Sequence, residues 1–432
     1  MGNLCSKAAL MLTFSIALSP IHCYAADGYG GVWGNTGNIL EDEEVISSEN
    51  KPEKPAETEG IIIEVPESEI ELPSGAAVSV WGNSTGTVKP SDKENSISSE
   101  NKLSDNKKTD KKKTEKIVDS TDSKYSYSDM CEDIDKLVAA YPKLVRVNTL
   151  GTTADKRKIY DIVIGNPEAD KQIVIQAGCH GREYMTCLLA MDMTEYCLIG
   201  YDRISYKGRL LSEYFDEFQI HIIPMLNPDG VTISQFGAKG LKNPQLRKNV
   251  SVMYKNALRA GYTTHSEARY YERWKANAKG IDINCNFDGK WDSADTARFA
   301  CGWGYKGNYP ESESESKGIV RLINSLSNPV TVVSYHASGS VVWWDYNQKG
   351  DFRDRCYREA KLVSDITGYS LYPCDPTSAA GLCDRIIAKG GKKTVPILIE
   401  IGKGDCPLSI SEYEEIFKKN YSIIPALMEM YY

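Results

Sequence analysis

The sequence predicts an α/β domain with a mixed, mostly parallel central sheet flanked by helices, preceded by a long disordered segment. Three observations predict it. Short apolar runs that end at glycine, KQIVIQAG and KKTVPILIEIG among them, read as buried strands. Helical apolar spacings separate or follow these runs, and strands alternating with helices give a layered α/β domain. Upstream of residue 125 the composition changes character.

The first 25 residues read as a secretory signal: Lys7, an apolar run from Ala8 to Leu18, Pro20, and a small-residue exit with cleavage near Ala25–Ala26. That run is too short to span a bilayer, and no later segment is long and apolar enough to do so. The opening MGNLCS also fits a myristoylation pattern, but the apolar segment that follows favours export. The chain is therefore expected to be secreted or associated with the cell surface or wall. Its formal charge of −8 argues against nucleic acid as a partner.

Residues 26–124 are expected to be a disordered linker. Residues 27–124 contain three aromatics, Tyr29, Trp33 and Trp81, and no cysteine. Twelve acidic residues face two lysines between Glu41 and Glu71, and seven lysines face three acids between Lys102 and Lys116. Such a stretch cannot bury enough apolar surface to offset its chain entropy. It also holds an imperfect duplication: VWGNTGN at 32–38 recurs as VWGNSTG at 80–86, and ISSENK at 46–51 recurs at 97–102. This is either a duplicated spacer or a pair of motifs that dock a wall polymer or partner.

From Tyr125 to Tyr432 the texture is globular. Ile134, Leu137 and Val138 give Asp129–Tyr141 a helical spacing, ended by Pro142. RVNTLG and RKIYDIVIG read as neighbouring strands, KQIVIQAG as a buried strand, and Tyr184–Leu198 as a helix. EFQIHIIPML is a strand closed by an NPDG turn. NPVTVVSYHASG and KKTVPILIEIG are two more buried strands, with helices expected over 311–327, 351–367 and 409–430. Ten cysteines fall between Cys131 and Cys406 in irregular spacing, so disulfides are possible and their pairing is not legible.

On this scaffold His180 and Glu183 follow one buried strand, His336 ends a second, and Glu400 lies near the end of a third. Ligands of open α/β sheets bind beyond the carboxyl ends of the strands, so these groups converge on one crevice. A spacing of three brings His180 and Glu183 onto one face of a turn. Two imidazoles, a carboxylate and a water make a catalytic zinc site, and a further unligated carboxylate can deprotonate the water. Taken alone, the H-x-x-E pair fits a loop histidine beside a surface acid better than a metal site, and His336 fits a core histidine with a satisfied hydrogen bond. Glu400 is harder to explain away, because a carboxylate flanked by PILI and IG is costly unless paired or functional. His221 reads as structural and His265 as a loop residue.

YSYSDMCEDIDKLVAAYP, AGCHGREYMT, MLNPDG, WKANAKGIDINCNFDGKWD, SYHASGS and ILIEIG occur in the order seen in the zinc carboxypeptidase (carboxypeptidase A) family. The chain resembles that family from Tyr125 to about Tyr432. The resemblance implies one zinc ion on His180, Glu183 and His336, with Glu400 as general base in a promoted-water attack on a peptide. It also implies that Arg182 and Asn284 line the substrate cleft. In RWKAN the family's arginine is replaced by Lys275, with Arg273 a competing cation for the oxyanion. In INCNF the arginine that holds a terminal carboxylate is replaced by Cys285, and a neutral thiol makes no charge-assisted fork. An approximate alignment puts Cys383 at the specificity-pocket position, beside Asp384, and Tyr372 near the place of a mobile cleft tyrosine. These departures look most like the bacterial branch that cleaves γ-D-glutamyl–diamino acid bonds in peptidoglycan stem peptides, and residues 26–124 would suit wall association. The competing expectations are a conventional carboxypeptidase, a small-molecule deacylase and, from another class, an inactive wall-binding module.

Overall fold

The computed structural model describes residues 116–390 and 393–432. The expected leader, and the expected linker as far as residue 115, lie outside the described residues. In chain order the elements are α1 (Tyr127–Ala140), β1 (Val145–Thr152), β2 (Lys158–Gly165), β3 (Lys171–Gln176), α2 (Met185–Gly200) and a short hairpin of β4 (Ser205–Tyr206) and β5 (Arg209–Leu210). Next come α3 (Leu211–Glu217), β6 (Phe218–Ile223), α4 (Pro228–Phe236), α5 (Pro244–Arg259), α6 (Glu267–Glu272) and α7 (Ser314–Ser325). The chain finishes with β7 (Pro329–Ala337), β8 (Val341–Asp345), α8 (Asp351–Thr367), β9 (Ser370–Pro373), α9 (Leu382–Lys389), β10 (Val395–Ile401), α10 (Tyr413–Asn420) and α11 (Ile423–Tyr431).

Eight strands form one sheet in the order β1-β2-β6-β3-β7-β10-β8-β9. Its centre, β6-β3-β7-β10, is all parallel, and antiparallel pairs join it to β2 and β8. The central strands are buried on both faces, which is why they read as unbroken apolar runs. Ile173, Ile175, Val333, Tyr335, Ile397 and Ile399 pack on one side with Leu188 and Met191 of α2, Val363 of α8 and Leu427 of α11. Val174 and Val332 point the other way, toward Ile319 and Ile323 of α7 and Ile386 of α9. Each fully buried Ile or Val in these layers contributes roughly 1.5–3 kcal/mol of transfer free energy. All ten cysteines among the described residues are free thiols, so this packing, and not disulfide staples, holds the body together.

Three local readings change. The NPDG segment does not close β6 with a turn. Asn227 accepts the Gly230 N–H at 2.9 Å and Pro228 takes the first helical position, so the segment starts α4. The expected helix over 409–430 is two helices, α10 and α11, separated at Tyr421–Ser422. The body also begins before Tyr125. The N–H groups of Ile117 and Val118 donate to Glu195 at 2.6 and 2.9 Å, Lys116 pairs with Asp192 at 3.0 Å, and Val118 is buried. Composition hides this, because a short polar clasp is worth its ordering cost only where α2 presents two acids to receive it. Among the described residues no helix is long and apolar enough to cross a membrane.

Candidate functional site

Three neighbouring strands of the parallel core deliver the titratable groups at their carboxyl ends. After β3 the chain reaches His180 in an extended conformation and then makes a single 3₁₀ turn, Gly181–Glu183, so that His180 and Glu183 face the same space. Gly181 permits this turn to lie against the start of α4. A Cβ there would sit 2.3 Å from the Gly230 carbonyl oxygen. Next door, β7 carries His336, and β10 pairs with it in register, His336 opposite Glu400.

The distances show what these groups can hold. His180 Nδ1 lies 2.8 Å from Glu183 Oε1, and His336 Nδ1 lies 3.0 Å from Glu183 Oε2. The two imidazole Nδ1 atoms are 3.3 Å apart. Ligands about 2.0–2.1 Å from a tetrahedral zinc are separated by about 3.3 Å, so the imidazole pair has the spacing of one tetrahedron edge. Among the described residues this is the one set of three or more such side chains close enough to share an ion. Two neutral nitrogens and a carboxylate, all buried, form a donor set suited to zinc.

Electrostatics prepare the set. Burial opposes charge on Glu183, but His180 and His336 outweigh it and hold the carboxyl well below its ordinary range. Burial pushes His336 down, favouring the neutral imidazole that a metal ligand must be. Burial also opposes protonation of His180, yet Glu183 and Asp282 overcome it and raise its pKa to about 9, so a metal entering here displaces a proton. Asp282 is a residue the sequence reading missed. Its Oδ1 lies 3.2 Å from His180 Nε2, which puts the imidazole proton on Nε2 and leaves the Nδ1 lone pair facing Glu183 and His336. The N–H groups of Asn284 and Gly304 donate to the same carboxylate at 3.1 and 2.8 Å. Burial would raise Asp282, but His180 and Lys275 reverse this and hold it at about 2. The available signal was an acid between two isoleucines in GIDIN, an environment as demanding as that of Glu400.

Glu400 is half-buried, and its Oε2 is enclosed with no hydrogen-bond partner among the described residues. Burial, then the negative charge of Glu183, pushes its pKa up to about 8. A carboxyl with raised proton affinity thus lies one strand from His336, its register partner. Lys275 Nζ reaches to 4.0 Å from Glu183 Oε1. The Lys275 backbone is fixed by its carbonyl, which accepts from Gly181 N–H and from Asn227 Nδ2. Arg273 is buried at the end of α6.

Other expected site residues fall differently. Arg182 is buried, as the ligands are, and acts electrostatically on Glu400 and Cys406. Asn284 is half-buried and donates to the Ala379 carbonyl at 2.7 Å, and with Cys285 it lines a pocket beside the ligand set. Cys383 does not line that pocket. It is fully buried with Tyr346, Ala380 and Leu398, and its helical neighbour Asp384 takes the lining position. The two residues leave α9 in different directions, which an alignment one residue out of step cannot resolve. Tyr372 is partly exposed on β9, its ring 5.7 Å from that of Trp343. His221 is structural as expected, held between Asp161 and Gln219 at 3.0 and 2.8 Å.

Residues 130–376 match the zinc carboxypeptidase family. The chain belongs to that family. It is a zinc peptidase, with the His180, Glu183 and His336 cluster at the carboxyl ends of its sheet. Among curated relatives it is 27% identical over 308 residues to gamma-D-glutamyl-L-diamino acid endopeptidase 1 of Lysinibacillus sphaericus, covering 70% of this chain and 72% of that one. It is 24% identical over 237 residues to human mast cell carboxypeptidase A, covering 54% and 50%. Among solved structures, that of thrombin activatable fibrinolysis inhibitor superposes with a TM-score of 0.56 at 16% identity, covering 73% of this chain and 80% of that one, a likeness of fold. The zinc carboxypeptidase fold thus accounts for the mixed eight-stranded sheet.

Proposed function

We propose that this zinc peptidase is exported and hydrolyses γ-D-glutamyl–diamino acid bonds in peptidoglycan stem peptides. His180, Glu183 and His336 would hold the metal. Bound zinc supplies Lewis-acid activation of a water molecule and of the scissile carbonyl. In this reading Glu400 takes the proton from the attacking water and passes it to the departing amine. Its enclosed Oε2 and raised proton affinity suit both halves of that transfer. Lys275 places a positive charge beside Glu183, where it can offset the charge that develops on the carbonyl oxygen. Asp282 keeps His180 in the ligating tautomer.

The observation that carries the substrate reading is Cys285. At the pocket wall beside the ligand set this chain has a thiol that burial keeps neutral, where a conventional carboxypeptidase needs an arginine. The length over which the chain matches a γ-D-glutamyl-L-diamino acid endopeptidase supports the same reading. Export rests on the leader-like first 25 residues, and wall association on the duplicated tract upstream of residue 116.

The deciding experiment incubates the zinc-loaded full chain with purified muropeptides and with ordinary peptides, products being read by mass spectrometry. Cleavage between D-glutamate and the diamino acid is expected. Release of single C-terminal residues from ordinary peptides, with muropeptides untouched, would replace this reading by that of a conventional carboxypeptidase. Pull-down on isolated cell wall, with and without residues 27–115, tests the wall association. Equal binding by the two forms would dismiss it.

A further inference from the structure

A small, partly open pocket is lined by Asn284, Cys285, Trp291, Lys306, Gly381 and Asp384. Its wall begins one residue's reach from the ligand set, because the Asp282 carboxylate oxygen beside His180 also accepts the Asn284 N–H. Gly381 lets the far side close on Asn284. A Cβ there would fall 2.0 Å from Asn284 Oδ1, and its φ of +55° is one that side chains rarely adopt. The contact chain His180–Asp282–Asn284 therefore ties the pocket wall to the ligand set.

The charges lining the pocket do not cancel. Asp384 is buried and already engaged, accepting from Ala380 N–H at 2.6 Å and pairing with Lys290 at 3.3 Å. Lys290 is spent as well, since it also donates to the carbonyls of Asp375 and Ser378, both at 3.0 Å. Lys306 differs. It donates to the Trp291 carbonyl and lies 4.6 Å from the centroid of the Trp291 ring, and its contacts include no carboxylate among the described residues. An ammonium carries three donors, so two remain for a ligand, and the ring fixes the stem that presents them. Lys306 and Cys285 line the same pocket, and the ammonium acts electrostatically on the thiol.

We propose that Lys306 is the specificity-determining cation of this enzyme and binds a carboxylate carried by a substrate residue next to the scissile bond. The assignment rests on the peptidase reading and not on the choice of stem peptides. Two sources offer that chemistry: a free carboxylate of a stem-peptide residue, or the C-terminus of an ordinary peptide. A cation on a semi-flexible stem serves either, where the fork of an arginine at position 285 would have demanded one geometry.

The test uses the zinc-loaded full chain as wild type, Lys306→Met, Lys306→Gln and Lys306→Arg. Substrates are γ-D-glutamyl–diaminopimelate peptides with each carboxylate amidated in turn, and one ordinary blocked dipeptide with a free or amidated C-terminus. For the wild type, amidating the recognised carboxylate should cost roughly 10- to 100-fold in kcat/KM, mostly through KM, as expected for a charged hydrogen bond. Lys306→Met should lose the same factor on the free acid and gain no further loss on amidation, with zinc content unchanged, while Lys306→Arg keeps the discrimination. If Lys306→Met fails to fold, Lys306→Gln, which retains a donor for the Trp291 carbonyl, carries the comparison. Discrimination that survives loss of Lys306, or an equal loss on acid and amide, overturns the assignment. Discrimination that depends on Lys306 but is confined to the ordinary dipeptide would remove the stem-peptide reading and leave Lys306 in place. Stem peptides cut with no dependence on Lys306 would do the reverse.

Discussion

Replacing Asp282 by asparagine should weaken zinc binding while leaving every ligand in place. The carboxylate sits 3.2 Å from His180 Nε2 and is 4% exposed, so solvent does little to screen it. Two full unit charges at that distance would interact by about 5 kcal/mol at an effective dielectric of 20. The metal-bound imidazole is a polarised neutral group, so a fraction of that is at stake. Loss of such a carboxylate partner typically costs about 10- to 100-fold in metal affinity, or about 1.4–2.8 kcal/mol. The Asp282→Asn substitution would also turn an amide toward the N–H of Asn284 or of Gly304, which donate to Asp282 at 3.1 and 2.8 Å, so some loss of fold stability accompanies it. Competition for zinc against a chromophoric chelator gives the affinity, and thermal unfolding of the metal-free protein isolates the second effect. A zinc affinity within about twofold of wild type would refute the assignment of Asp282 as the group that orients His180. A drop in affinity matched by an equal drop in metal-free stability would reduce it to a structural residue.

Four further outcomes are expected. Glu400→Gln should keep its zinc by elemental analysis and lose turnover by roughly 10²–10⁴-fold, and unchanged turnover would mean the proton is handled elsewhere. Lys275→Met should lower kcat by roughly 10²–10³-fold with zinc retained, and Lys275→Arg should recover part of it; equal losses in both would deny a role for the charge. Starting the chain at residue 125 strips Glu195 of two N–H donors and removes buried Val118, so its urea midpoint should correspond to at least about 3 kcal/mol less stability than a start at 116; coincident midpoints would show the clasp to be idle. Glu359 is buried, with Thr331 and Tyr431 donating to it, and burial raises its pKa to about 8. The folded state therefore holds a proton that the unfolded chain releases near 4.5, so this contribution is complete below 4.5 and is lost as pH rises through 8, up to about 5 kcal/mol in all. Glu359→Gln should flatten that dependence in urea titrations at pH 5 and pH 9, and a slope unaltered by the substitution would point to another group.

Much of this protein is decided locally, and those parts could be read from the chain. The central strands are buried on both faces, so KQIVIQ, VTVVSY and VPILIE had to be continuous apolar runs, and runs of that kind have no other stable home. Their parallel order puts the residues just past them at one edge, which is why His180, Glu183, His336 and Glu400 could be grouped before any coordinate was known. The sequence also exposed the missing arginine at Cys285, because substitution at a motif position is visible in one dimension. Tertiary structure alone decided the rest. Whether Asp282 faces a ligand, whether Cys383 or Asp384 looks into the pocket, and whether Lys306 meets a carbonyl or a carboxylate among the described residues depend on loops and helix starts whose direction no periodicity encodes. The same holds for Lys116–Val118, at the end of a lysine-rich run, which fold onto the body where Asp192 and Glu195 of α2 receive Lys116 and the two backbone N–H groups. Burial of apolar surface is additive along a strand and leaves its mark on the sequence. A charge finds its partner across the fold, and a single chain carries no mark of that meeting.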